Sequence, residues 1–210
     1  MEISGIMLEI LIRKNMKKLL ITGLMLVSFL NAETVYSNAV KKVSLTPNLK
    51  DVAGKLLPTN AINILERKNG VIKFEVEGYQ TASKPNVIEF RPGSRIYVIA
   101  FAKSVKLKTQ IIKKISKDVN LVKVTAYTDD KDFDKTFVSD IDALFKAAGT
   151  NYTDSCAACH QLHAPKEHLA YQWPGLVKAM KSRAGFNNDE TWTVIQYLQK
   201  HSKDVDVSAK

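Results

Sequence analysis

The chain has two cysteines, and they stand three residues apart with a histidine directly after the second: Cys156-Ala157-Ala158-Cys159-His160. Few short patterns restrict a chain as strongly. This is the spacing of c-type haem attachment. Two thiols three positions apart reach the two vinyl groups on one edge of a porphyrin, and the next residue then lies under the iron, where an imidazole nitrogen can ligate it. Cys156 and Cys159 are therefore expected to hold one covalent haem c, with His160 as the proximal ligand. Three other uses of the pair compete with this one. A redox C-x-x-C belongs beside a βαβ unit, which is missing here. Zinc held by Cys156, Cys159, His163 and His168 would usually need a longer loop between the cysteine and histidine pairs. A disulfide across so short a loop stabilises little.

The second axial ligand has to come from elsewhere, and Met180 is the one methionine after residue 25. Pro174 suits the first turn of a helix and Gly185 its end, so Trp173, Leu176, Val177 and Met180 would line one helical face that covers the haem. His168 is the rival ligand, and a plain core role is the bland alternative for Met180. His163 follows His160 too closely to cross a porphyrin easily. Trp173, Tyr171, Trp192 and Tyr197 read as packing residues.

Residues Met16 to Ala32 read as a secretory signal, with Lys17 and Lys18 before the twelve-residue apolar run Leu19 to Leu30. A transmembrane helix would need roughly 20 apolar residues. The expectation is a cleaved signal over residues 1–32, a mature chain without a membrane span, and a periplasmic location.

Residues 33–138 read as short strands between turns. Asn69-Gly70 separates Ala61 to Leu65 from Val71 to Glu77, where alternation puts Ile72, Phe74 and Val76 on one face. Arg91-Pro92-Gly93-Ser94 makes a second turn, and Leu121 to Thr128 is another β-rich run. A barrel or sandwich of about five strands is expected. Thr109 to Lys117 suits either a strand or a helical turn. This middle stretch is basic, with 19 Lys or Arg against 11 Asp or Glu, whereas residues 139–210 have eight of each. A solvated face or a docking surface for an acidic partner or anionic membrane would both explain it. Nucleic acid is not an expected partner of an exported chain.

A helical pattern opens near Ser139 or Asp140, carries Ile141, Leu144 and Phe145, and is expected to end at Gly149. A last helix is expected from Asn188, as N-cap, to His201.

Two resemblances sharpen this reading. The run Leu65 to Tyr79 resembles the central hairpin of bacterial SH3-like barrels. Cys156-Ala-Ala-Cys-His160, His163-Ala-Pro165, Gln172-Trp-Pro-Gly175, Met180 and Tyr197-Leu198 together resemble the monohaem domain of class I-type cytochromes c. Within that group the likeness is to the C-terminal haem domain of the cytochrome c subunit of periplasmic trimethylamine-N-oxide and sulfoxide reductase systems. The fold so implied is α+β in two domains: a small SH3-like β-barrel at 33–138, then an all-α class I-type cytochrome c domain at 139–210.

The function so implied is single-electron transfer, not catalysis, in anaerobic respiration. The implied acceptor is a periplasmic molybdopterin oxidoreductase that reduces N-oxides or S-oxides, with an upstream quinol-oxidising cytochrome as a possible donor. Longer relatives carry a multihaem, membrane-anchored part that oxidises quinol; these residues have one C-x-x-C-H, so direct quinol oxidation is not expected of them. The alternatives are a cytochrome subunit that takes electrons from a periplasmic dehydrogenase, and a haem-based sensor or enzyme with an open iron position. No paired acid and base, oriented nucleophile or phosphate loop accompanies the β region.

Overall fold

Asn69 and Gly70 both adopt positive φ, 53° and 77°, which is the conformation a two-residue hairpin turn demands and which glycine accepts without strain. They join β4 (Ala61–Lys68) to β5 (Val71–Thr81), and β5 buries Ile72, Phe74 and Val76 on the face its alternation predicts. The computed structural model describes residues 33–158 and 160–205, so the expected signal at 1–32 lies outside the described residues. Around this hairpin stand β1 (Glu33–Ser37), β2 (Lys41–Val43), β3 (Gly54–Leu56), β6 (Lys84–Glu89), β7 (Tyr97–Phe101), β8 (Gln110–Lys114), β9 (Val119–Asp129) and β10 (Phe137–Val138).

The eleven residues of β5 pair along their whole length with β9, from Val71↔Asp129 to Thr81↔Val119. On its other edge, β4 takes the first half of β5 and β6 the second. One sheet of ten strands results, in the order β10-β1-β4-β5-β6-β7-β3-β2 with β9 also paired to β5 and β8 paired to β9. It curls until Ser44, just past β2, bridges Tyr127 of β9. The concave face buries Val35, Leu56, Ile62, Ile72, Phe74, Val76, Ile99, Val122 and Val124. Fully burying each of these side chains contributes roughly 1.5–3 kcal/mol.

The stretch that suited two readings is a strand: β8 pairs only β9, and all five of its residues are exposed. Its isoleucines do not enter the core.

Four helices follow: α1 (Phe133–Thr136), α2 (Ile141–Cys156), α3 (Trp173–Ala184) and α4 (Asn188–Lys200). Asp140 caps α2, accepting from the amides of Asp142 and Ala143, and Asn187, one residue before the expected cap, forms a capping box with Glu190 on α4. Gly149 does not end α2, which runs seven residues further. A side chain there would meet the Tyr197 ring at 3.1 Å, so this glycine lets α2 and α4 approach closely.

The expected pairing of a small SH3-like barrel with a separate all-α class I-type cytochrome c domain is overturned. The described chain is mostly β, with ten strands rather than about five, and its last helix, α4, is tied to the β region by hydrogen bonds; Ala32–Lys210 is one compact unit. The reason lies in α4. Its apolar residues Val194, Ile195 and Leu198 face the other helices, while a polar side is buried against the β region and donates hydrogen bonds to it, Gln196 Oε1 alone being left without a partner among the described residues. Gln196 Nε2 donates to Tyr97 O at 3.2 Å, and Thr193 Oγ1 to Asn38 O at 3.0 Å. Lys200, 2% exposed, donates from Nζ to Thr59 O at 2.7 Å, Thr59 Oγ1 at 3.0 Å and Asn60 Oδ1 at 2.9 Å.

Lys200→Met keeps the apolar stem but strands these buried acceptors. Each such loss costs about 1–3 kcal/mol, so urea unfolding of the variant should show a clearly lower midpoint at unchanged slope. An unchanged midpoint would mean that Lys200 does not hold α4 to the sheet.

Candidate functional site

The helices enclose an apolar cleft of about 180 Å³. Its floor is aromatic and aliphatic: Tyr152 from α2, Trp173 and Val177 from α3, and Phe186 from the turn after α3, all buried. Trp173 meets Tyr152 edge to face at 6.1 Å between centroids. Pro174 opens α3 as expected, and Gly185, at φ 71°, closes it. That gives Leu176 and Met180 their places along the cleft, Leu176 exposed and Met180 half-buried.

Cys156, His160 and His163 line the same cleft. Cys156 is the last residue of α2 and half-buried, so its thiol is presented from a fixed helix end. Cys159 lies outside the described residues. The exposed His160 places Nδ1 2.7 Å from Gln161 O. A carbonyl oxygen only accepts, so Nδ1 carries the proton and, in the neutral ring, Nε2 is left with its lone pair, the state a metal ligand needs.

The structure thus brings Cys156, His160 and Met180 to one cleft and leaves His168 out of its lining. The residues present fit a haem: an apolar slot with one thiol, an imidazole of fixed tautomer and a thioether among its walls.

Tyr152 was not singled out from sequence. Burial pushes its hydroxyl up to about 12, and Cys156 and Glu167 add to the effect, so it stays a proton donor; it donates to His163 O at 2.9 Å. Its position at a helical spacing of four before Cys156 was the available signal. Glu167 was also missed. The Ala164 amide, at 2.9 Å from Oε1, and His163, whose Nδ1 is 2.8 Å from Oε2, hold its carboxyl below the usual range.

The family model of the TorC third cytochrome c domain matches residues 30–137. That stretch is the sheet, and it ends before Cys156. A cytochrome c-type protein TorY of Haemophilus influenzae is 24% identical over 146 residues, covering 64% of this chain. The chain spans 37% of that curated relative's length. No solved structure matches. Among the described residues, no helix is long and apolar enough to cross a membrane.

Proposed function

The chain belongs to the family of the TorC third cytochrome c domain, and from that premise we propose that it is a periplasmic electron carrier with one covalent haem c. The observation that carries this reading is the convergence of Cys156, His160 and Met180 on one apolar cleft. Cys156 and Cys159 hold the porphyrin, His160 Nε2 ligates the iron, and Met180 supplies the sixth ligand. A haem so held supplies one-electron ferric and ferrous cycling without an open position for substrate. Trp173, Val177 and Phe186 keep water from its buried face, while the exposed Leu176 marks the rim where an electron can leave. Absorption spectra of the reduced protein with and without carbon monoxide test the reading: a carrier gives superimposable spectra, and a carbon monoxide adduct would assign the chain to the sensors or haem enzymes instead.

The proposed acceptor is a periplasmic molybdenum reductase of N-oxides or S-oxides, with electrons arriving from a quinol-oxidising cytochrome. The family and the TorY relative support this choice over a dehydrogenase partner. Recruitment then falls to the basic sheet. Lys103, Lys106, Lys108, Lys113, Lys114 and Lys117 are all exposed and lie on β8 and the segments flanking it. Steering by exposed charge raises on-rates by a factor of roughly 10 or more, and screening at about 0.15 M salt cuts its reach to roughly 8 Å. Stopped-flow oxidation of the reduced cytochrome by the reductase should therefore slow as salt rises. Lys113→Glu/Lys114→Glu/Lys117→Glu should slow it at low salt with the haem spectrum unchanged. A flat salt response in both proteins would leave these lysines as a solvated face.

A further inference from the structure

Next to the cleft, His163, Glu167 and His168 each bring one ligand atom within 4.8 Å of the others. We propose that these three residues bind a divalent transition-metal cation of the zinc type, at a site that adjoins the cleft and shares His163 with its lining. Two imidazoles and a carboxylate, with a fourth position for water, form a borderline donor set that suits Zn²⁺ over the hard cations. Ligand atoms about 2.0–2.1 Å from a tetrahedral ion lie roughly 3.3 Å apart, so small side-chain rotations complete the site.

Two observations go beyond a chance meeting of surface residues. His168 Nε2 is buried and has no hydrogen-bond partner among the described residues. A buried polar atom without a partner is unfavourable, and a metal bond is an interaction that would satisfy it. The His168 ring stands 5.0 Å from those of both His163 and Trp173, between the other imidazole and the cleft wall. The contact between His163 and Glu167 alone is exposed and does not explain the place of the third member.

The second observation is how firmly the backbone presents the three ligands. Tyr152 donates to His163 O at 2.9 Å, Trp173 Nε1 to Pro165 O at 3.3 Å and the Lys203 amide to His168 O at 3.1 Å. Pro165–Glu167 is a 3₁₀ turn, and the Ala164 amide holds Glu167 Oε1 at 2.9 Å, so Oε2 is the oxygen that faces His163, 2.8 Å from its Nδ1, and an ion would replace that hydrogen bond.

No cysteine and neither proposed iron ligand, His160 or Met180, takes part, so haem attachment and zinc uptake can be counted independently even though His163 lines the cleft. Native mass spectrometry of the full haem-loaded chain counts haem and zinc separately, and calorimetric titration with Zn²⁺ gives the affinity. One Zn²⁺ per chain is expected, with Glu167→Gln and His168→Gln each weakening it at least about tenfold while the absorption spectrum stays the same. Glu167→Gln keeps an oxygen for the Ala164 amide, so the turn retains its shape in that variant. The proposal is overturned by the lack of saturable uptake, or by uptake that both substitutions leave intact, as His201 or the chain ends would give.

Discussion

Cells able to mature c-type cytochromes should yield a chain whose haem survives denaturing electrophoresis, and the Cys156→Ala/Cys159→Ala variant should run without any haem stain. The effect is close to all or none because a thioether is covalent, whereas axial ligation alone does not outlast denaturant. A single Cys156→Ala or Cys159→Ala change leaves one bond, so the stain should weaken and the haem should be lost more readily on unfolding. His160→Ala should keep the stain, since both thiols remain, but lose the stable low-spin spectrum that the proximal imidazole provides. The geometry sets these variants apart: Cys156 is held at the end of α2, while His160 is oriented separately by Gln161 O. A colourless band from the unaltered chain would end the haem reading at once.

The parts of the fold that were legible in the sequence are those governed by local chemistry. Asn69-Gly70 specified a hairpin because few other residue pairs accept two positive φ values in succession, and the Ile72, Phe74 and Val76 alternation then named the buried face. Asp140, Pro174 and Gly185 marked helix ends for the same kind of reason. The cleft was legible too, since C-x-x-C-H and the Trp173 to Met180 face are both matters of spacing. What stayed hidden depended on long-range polar contacts. Gln196, Gln199 and Lys200 look like the wet side of a terminal helix, yet 0%, 1% and 2% of their surfaces are exposed, because their donor groups reach backbone and side-chain oxygens at Tyr97, Arg95, Ala170, Thr59 and Asn60. That single face turned an expected second domain into a layer on the sheet. The exposed Ile111, Ile112 and Ile115 left their stretch open between strand and helical turn, since apolar residues that do not enter a core give no clear period. Gly149 served the approach of two helices, which no rule of helix termination detects.

Met180→Ala should change the iron's coordination, and His168→Ala should not. Met180 lines the cleft with Cys156 and His160, at the third position of the Trp173, Val177, Met180 series that the cleft side of α3 presents. A thioether is a neutral, soft ligand that favours the ferrous state, so its presence raises the potential and gives the ferric protein a weak sulfur-to-iron charge-transfer band. Removing it should abolish that band, let carbon monoxide bind the ferrous iron and lower the midpoint potential. His168 makes the comparison strict. It follows His160 by eight residues, its Nε2 is buried, and it is the rival ligand by residue type, but it packs edge-on against Trp173 at 5.0 Å and is absent from the cleft lining. To reach an iron held by His160, it would have to leave that contact and displace the backbone that Lys203 holds. His168→Ala should therefore keep the charge-transfer band and the closed coordination, and lose only the zinc affinity proposed above. If the unaltered ferric protein lacks the band and His168→Ala, rather than Met180→Ala, opens the ferrous iron to carbon monoxide, the sixth ligand is the imidazole, the carrier has a lower potential than methionine would confer, and the zinc site loses its third member in the same experiment.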